Sequence, residues 1–101
     1  MGVPVVITPT AIDDLERIVR YIALDSPERA KRFGYALIDE ALSLGPFPEM
    51  GCVTPEIGDP TVREIVHGAY RIIYELRREP SAVYVLRFWH AARGIPELPT
   101  A

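Results

Sequence analysis

The fold is decided by residues 62–90, VREIVHGAYRIIYELRREPSAVYVLRFWH, where apolar and polar side chains alternate. A period of two is typical of β-strands that bury one face. A Gly-Ala pair and a later proline interrupt the alternation, and such short links make consecutive strands antiparallel neighbours. The stretch therefore predicts three antiparallel strands in series, Val62–His67, Tyr70–Arg77 and Ala82–His90.

The register of these strands decides which side chains share a face. An even loop between the last two strands places residue i opposite residue 161 − i, so that Arg71 and His90 stand side by side; an odd loop separates them. A three-residue turn between the first two strands brings Arg63 to the face of Arg71, whereas a two-residue turn sends it to the other face. We favour the three-residue turn because it points Val62 and Val66 inward.

Two helices precede the strands. Thr8-Pro9 and Ser26-Pro27 each combine a preferred N-cap residue with proline at the first helical position. Apolar residues then recur at helical spacing, and the short link makes the helices an antiparallel hairpin. The predicted inward faces are Ile12, Leu15, Val19 and Ile22 for the first helix, and Ala30, Phe33, Leu37, Ala41 and Leu44 for the second.

The remaining segments complete the architecture. Val3–Ile7 is a predicted first strand, and the proline-rich stretch Pro46–Pro60 is either an extended loop or the place of a further short strand. The order β-α-α-β-β-β predicts an α+β fold with the helical hairpin on one face of a small antiparallel sheet. We expect one domain over residues 1–95 and a short tail over residues 96–101.

Composition narrows the function classes. The 101-residue chain has a net charge of −3, which disfavours binding to long nucleic acid. Its arginines nevertheless concentrate in residues 62–93, where a local basic patch could hold an anionic group. A lone cysteine, Cys52, and two histidines indicate a cytoplasmic protein without disulfide, metal or cofactor. We expect no membrane segment and no secretory signal.

Three motifs carry a family resemblance. They are A-x-x-D-L-x-x-I-x-x-Y-I from Ala11 to Ile22, Tyr70-Arg71-Ile72-Ile73-Tyr74, and the closing His90-Ala91-Ala92-Arg93. In this order and spacing they resemble the RelE/ParE superfamily of bacterial toxins over most of the chain. The resemblance implies the toxin of a type II toxin–antitoxin module, neutralised by a cognate antitoxin protein.

The resemblance leaves the target open. In the RNA-cutting RelE-type members the corresponding arginine belongs to the active face, which would make Arg71 and His90 catalytic in a ribosome-dependent mRNA endonuclease. The segment after the last strand, however, lacks the usual tyrosine and has two alanines where basic residues are common. It is more similar to the ParE-type, plasmid-stabilization branch, whose members inhibit DNA gyrase by binding and are not enzymes. A degenerate toxin that binds only its antitoxin is the third alternative.

The resemblance also suggests which residues contact the target and the antitoxin. Basic and aromatic residues of the strands are expected to contact the target, and exposed residues of the helices to contact the antitoxin. The target-binding candidates are Arg63, Arg71, Arg87, Trp89, His90 and Arg93. The antitoxin-binding candidates are Tyr21, Tyr35 and Ile38.

Overall fold

Two capped helices and a five-stranded sheet make up the part of the chain, residues 2–99, that the computed structural model describes. The α+β prediction is confirmed. The long loop does contain a short strand. The elements are β1 (Val5–Ile7), α1 (Pro9–Ala23), α2 (Pro27–Leu42), β2 (Cys52–Val53), β3 (Val62–His67), β4 (Tyr70–Arg78), β5 (Ser81–His90) and a 3-10 turn at Ala91–Arg93.

Both helices begin at the N-caps that the sequence indicates. The Thr8 hydroxyl accepts a hydrogen bond from the backbone N–H of Ala11, and the Ser26 hydroxyl accepts one from Arg29. The predicted inward face of α2 is confirmed, with Phe33 only partly buried. The predicted face of α1 is confirmed in part: Leu15 and Ile22 are partly buried against the core, whereas Ile12 is 44% exposed. The fully buried positions of α1 are Ala11, Asp14 and Ile18.

The sheet is mixed, with the strand order β1-β5-β4-β3-β2. Strands β3, β4 and β5 are antiparallel neighbours, as predicted. The first strand adds to the far edge in parallel with β5, pairing Val5 with Val83. The helical connection after β1 permits this, because parallel pairing needs a crossover longer than a tight turn.

The predicted pairing of Arg71 with His90 is wrong. The turn after β4 is even, since Arg78 pairs with Ser81, and continuing that register would have left Arg71 and His90 on one face. A β-bulge at Leu86 intervenes: Tyr74 pairs with Val85 but Ile73 pairs with Arg87. One extra residue exchanges the faces of everything beyond it. His90 therefore pairs with Tyr70 and Arg71 with Trp89, on opposite faces of the sheet.

The three-residue turn between β3 and β4 is also wrong. His67 pairs with Tyr70 across a two-residue turn in which Gly68 has φ +58°, a conformation that glycine adopts without strain. Arg63 consequently lies on the face opposite Arg71. The two valines are not buried together: Val62 is buried on the Arg71 face, whereas Val66 is 66% exposed.

Each face of the sheet has its own apolar cluster. The helices pack on one face, against residues such as Ile72, Val83 and Phe88. On the other face Val62, Ile73 and Trp89 form a smaller cluster, to which the loop contributes Ile57 and the tail contributes Leu98. Within residues 2–99 no helix is long and apolar enough to span a membrane.

Candidate functional site

Arg71 lies between two carboxylates on the face away from the helices. Its guanidinium NH1 and NH2 donate to the two carboxylate oxygens of Glu56 at 2.9 and 2.7 Å. Its Nε donates to both oxygens of Glu64 at 3.1 Å. The side chain is only 11% exposed, so nearly all of the guanidinium edge is occupied by its own chain.

The electrostatics of this cluster follow from the same contacts. The Arg71 hydrogen bonds hold the pKa of Glu56 at about 2, well below its ordinary value of 4.5. The two glutamates in turn raise the pKa of Arg71, first through hydrogen bonding and then through their charge. One cation between two carboxylates leaves a net charge of −1 at this position, which repels a phosphate. Arg71 as placed is therefore a structural residue that fixes the 46–60 loop to the sheet.

Arg87 is buried and paired with α1. Its Nε and NH2 donate to the two carboxylate oxygens of Asp14 at 2.8 Å each, and its NH1 donates to the Glu97 carbonyl at 2.6 Å. Asp14 also accepts the backbone N–H of Phe88 at 3.1 Å. Hydrogen bonding to Asp14 raises the pKa of Arg87. The Arg87–Asp14 pair connects α1, β5 and the C-terminal tail. The Arg87 guanidinium is therefore used within the chain and is not available to a partner.

Trp89 and Arg63 are likewise used within the fold. Trp89 is 1% exposed, and the guanidinium carbons of Arg87 and Arg93 lie 4.8 and 4.0 Å from its ring centroid. Stacking of Trp89 on a base is thus excluded in this conformation. Arg63 NH1 donates to the Gly51 carbonyl at 2.8 Å and secures the loop.

His90 and Arg93 are the target-binding candidates that remain accessible, and they line a pocket beside α1. The pocket has a volume of about 170 Å³ and is lined by Asp14, Arg17, Ile18, Tyr21, Tyr70, Phe88, His90 and Arg93. His90 packs edge-on against Tyr70, with ring centroids 5.0 Å apart. Its Nδ1 accepts the backbone N–H of Ala92 at 3.1 Å, so the proton of the neutral ring lies on Nε2.

The antitoxin-binding candidates divide between two surfaces. Tyr35 and Ile38 line an apolar groove of about 260 Å³ between the helices, together with Leu15, Val19, Pro27, Lys31 and Gly34. The groove floor is close-packed, because a Cβ on Gly34 would lie 2.9 Å from Val19 Cγ2. Tyr21, in contrast, lies in the His90 pocket.

The sequence did not reveal which acidic residues accept hydrogen bonds from Arg71 and Arg87. Asp14, Glu56 and Glu64 were not among the predicted site residues, although Asp14 stands in the motif of α1 and interrupts an otherwise apolar stripe. Arg17 and Tyr70 were also not singled out as site residues, because their proximity to His90 depends on the β5 bulge. Among residues 2–99, no cluster of three His, Cys, Asp or Glu residues could hold a metal ion.

Comparison with known proteins places this fold in a family. A family model described as the ParE toxin of the type II toxin–antitoxin system parDE matches residues 5–95. A structure of a chromosomal ParDE system from P. aeruginosa superposes with a TM-score of 0.71 at 20% identity, covering 88% of this chain and 96% of that one. The RelBE2 toxin–antitoxin complex from Mycobacterium tuberculosis gives 0.66 at 25% identity, covering 89% and 99%. No curated protein shows significant sequence similarity to the chain.

Proposed function

This chain belongs to the ParE toxin family of type II toxin–antitoxin systems, and we propose that it arrests growth by binding DNA gyrase rather than by cutting RNA. The observation that carries the choice is the state of Arg71. An RNA-cutting site needs an accessible cation beside the scissile phosphate and a proton carrier within hydrogen-bond reach. Here Arg71 is held by two glutamates, and His90 is on the other face.

The charge of the molecule supports the same proposal. Affinity for nucleic acid comes mainly from neutralising phosphates, and the chain is acidic, with a net charge of −3. Four of the six arginines in residues 62–93 donate to carboxylates of the chain itself, namely Arg71, Arg77, Arg78 and Arg87. A protein target needs no such phosphate-binding track, because a few accessible groups around one pocket are enough for a contact.

A supercoiling reaction tests the gyrase proposal. Purified toxin is added to gyrase and relaxed plasmid, and inhibition should rise with toxin concentration. His90→Ala, which changes the accessible pocket, should weaken inhibition. Arg32→Ala removes an exposed arginine of α2 that does not line that pocket and serves as the matched control. Supercoiling that continues unchanged at a large excess of wild-type toxin would rule gyrase out as the target.

The proposed antitoxin contact is the groove between α1 and α2. Tyr35 is 59% exposed, and Ile38 lines the same groove as Val19 and Gly34. An amphipathic helix buries its apolar face in a groove of this kind. Two structures of the same fold come from a ParDE system and a RelBE2 complex, which supports an antitoxin as the occupant.

Co-purification tests this contact. The toxin is co-expressed with the product of the adjacent reading frame, and Ile38→Glu should reduce recovery of the complex because it introduces a charge into the groove. Leu24→Glu is the control, since Leu24 is 86% exposed in the link after α1. Equal recovery of the complex with both variants would contradict the groove as the binding site.

A further inference from the structure

We propose that the pocket between α1 and the end of β5 binds one carboxylate side chain, an aspartate or glutamate, of a protein partner. The inference rests on the proposed function only in taking the partner to be a protein. The polar residues that line the pocket include Arg17, Arg93, His90, Tyr21 and Tyr70. The antitoxin groove differs from this pocket because its lining is mainly apolar.

The polar groups of the pocket are mainly hydrogen-bond donors. Among residues 2–99, neither Arg17 nor Arg93 forms an ion pair, in contrast to Arg71 and Arg87. His90 uses Nδ1 to accept the Ala92 N–H, which makes its Nε2 a donor. Guanidinium and imidazole donors around one cavity select an anion, and hydrogen bonds to a charged acceptor are the stronger kind.

The acidic residue and the tyrosines of the lining are compatible with a bound carboxylate. Asp14 is the acidic group of the lining, but its oxygens already accept from Arg87 and from the Phe88 N–H. Burial, with a smaller contribution from Tyr21, raises the pKa of Tyr70. Tyr70 therefore keeps its proton at neutral pH and can donate it in a hydrogen bond.

The size of the pocket matches one side chain. Its volume of about 170 Å³ is close to the ~150 Å³ cavity that accommodates benzene. Ile18 and Phe88 add apolar lining, which suits the methylene groups of an acidic side chain. A nucleic acid would present successive phosphates, for which a cavity of this volume and an acidic chain offer no continuous track.

The formal charge of the lining suits an anion. Asp14 is paired with Arg87, so its charge is compensated within the fold. Arg17 and Arg93 remain as the cations of the lining. The proposal names a carboxylate because aspartate and glutamate are the anionic side chains that a protein partner presents.

Titration of the isolated toxin tests the proposal without gyrase or antitoxin. The probes are N-acetyl-glutamate amide, N-acetyl-glutamine amide and inorganic phosphate, followed by NMR of the arginine Nε–H and histidine side-chain signals. The glutamate probe should shift the Arg17, Arg93 and His90 signals together. In Arg17→Gln/Arg93→Gln the half-saturation concentration should rise about tenfold or more, as expected for loss of charge-assisted hydrogen bonds.

The controls make each outcome decisive. Arg32→Gln removes an exposed guanidinium of α2 outside this pocket and should bind the glutamate probe as the wild type does. Equal binding of the glutamine probe would overturn the proposal, because charge would then not be recognised. Phosphate binding tighter than glutamate, or no saturable shift of the pocket signals by glutamate, would overturn it as well. Since no partner is present, these outcomes do not depend on whether gyrase is the target.

Discussion

Replacing Asp14 by alanine should destabilise the toxin severely, because Asp14 is the buried ion-pair partner of Arg87. Asp14 is 4% exposed and accepts three hydrogen bonds, two from the Arg87 guanidinium and one from the Phe88 N–H. The substitution leaves a buried cation whose remaining acceptor is the Glu97 carbonyl. An uncompensated buried charge is among the few single changes that cost several kcal/mol.

The magnitude follows from these contacts. Breaking a buried ion pair by removing one partner costs about 3–5 kcal/mol, and two hydrogen bonds to a charged group at ~1.5–3 kcal/mol each give a similar total, about 3–6 kcal/mol. The free energy of unfolding of a domain is roughly 5–15 kcal/mol. Asp14→Ala should therefore have a much lower free energy of unfolding than the wild type. The expected fall in Tm is about 12–40 °C, at about 4–8 °C per kcal/mol for a domain of this size.

Urea unfolding followed by circular dichroism measures the effect. At a slope of about 2 kcal/mol/M, a loss of ~4 kcal/mol lowers the midpoint by about 2 M. Asp13→Ala, one residue away and exposed, should change stability by less than about 0.5 kcal/mol. Asp14→Leu/Arg87→Met removes both charges and should regain at least about 2 kcal/mol of the single-variant loss. A loss below about 1 kcal/mol in Asp14→Ala would refute the reasoning, because the pair would then not be desolvated.

Three further changes test the contacts that hold the 46–60 loop to the sheet. The pKa of Glu56 should be about 2 in the wild type and should return toward 4.5 in Arg71→Gln. Because folding lowers this pKa, the stabilising contribution of Glu56 is present above pH 4.5 and is lost as the pH falls toward 2. Carboxyl NMR with parallel urea unfolding can follow both effects. Gly51→Ala should cost about 1–3 kcal/mol in urea unfolding, since its Cβ would lie 2.6 Å from the Glu64 carbonyl oxygen; wild-type stability would contradict this close approach. Tyr74→Phe should cost about 1–3 kcal/mol in thermal unfolding, because the buried hydroxyl accepts from Gly51 N–H and donates to the Pro48 carbonyl; an unchanged Tm would contradict the anchor.

Local patterns were sufficient to predict most of the fold. Thr8 and Ser26 mark the helix starts, and the period-two stretch marks β3, β4 and β5 to within a residue. These features depend on neighbours in sequence and on the two periodicities of helix and strand. The parallel pairing of β1 with β5 was not predicted, because it joins residues about 78 positions apart and leaves no local signal.

The candidate site was predicted less well because it depends on a single inserted residue. Strand β5 is apolar at nearly every position, so nothing in the sequence distinguishes a bulge at Leu86. Without the bulge, Arg71 and His90 would share a face and resemble a catalytic pair. The partners of Arg71 and Arg87 could not be predicted either, because they are distant in sequence. Glu56 is 15 residues from Arg71, and Asp14 is 73 residues from Arg87.

The measurement closest to the central claim is a map of mRNA 5′ ends by primer extension during growth arrest, after toxin expression is induced without antitoxin. If the toxin acts by binding a protein, growth should stop while the 5′ ends of translated messages stay as they were before induction. New internal 5′ ends that disappear with Arg71→Ala, in a variant that still folds by circular dichroism, would contradict the account and make Arg71 part of an RNA-cutting site.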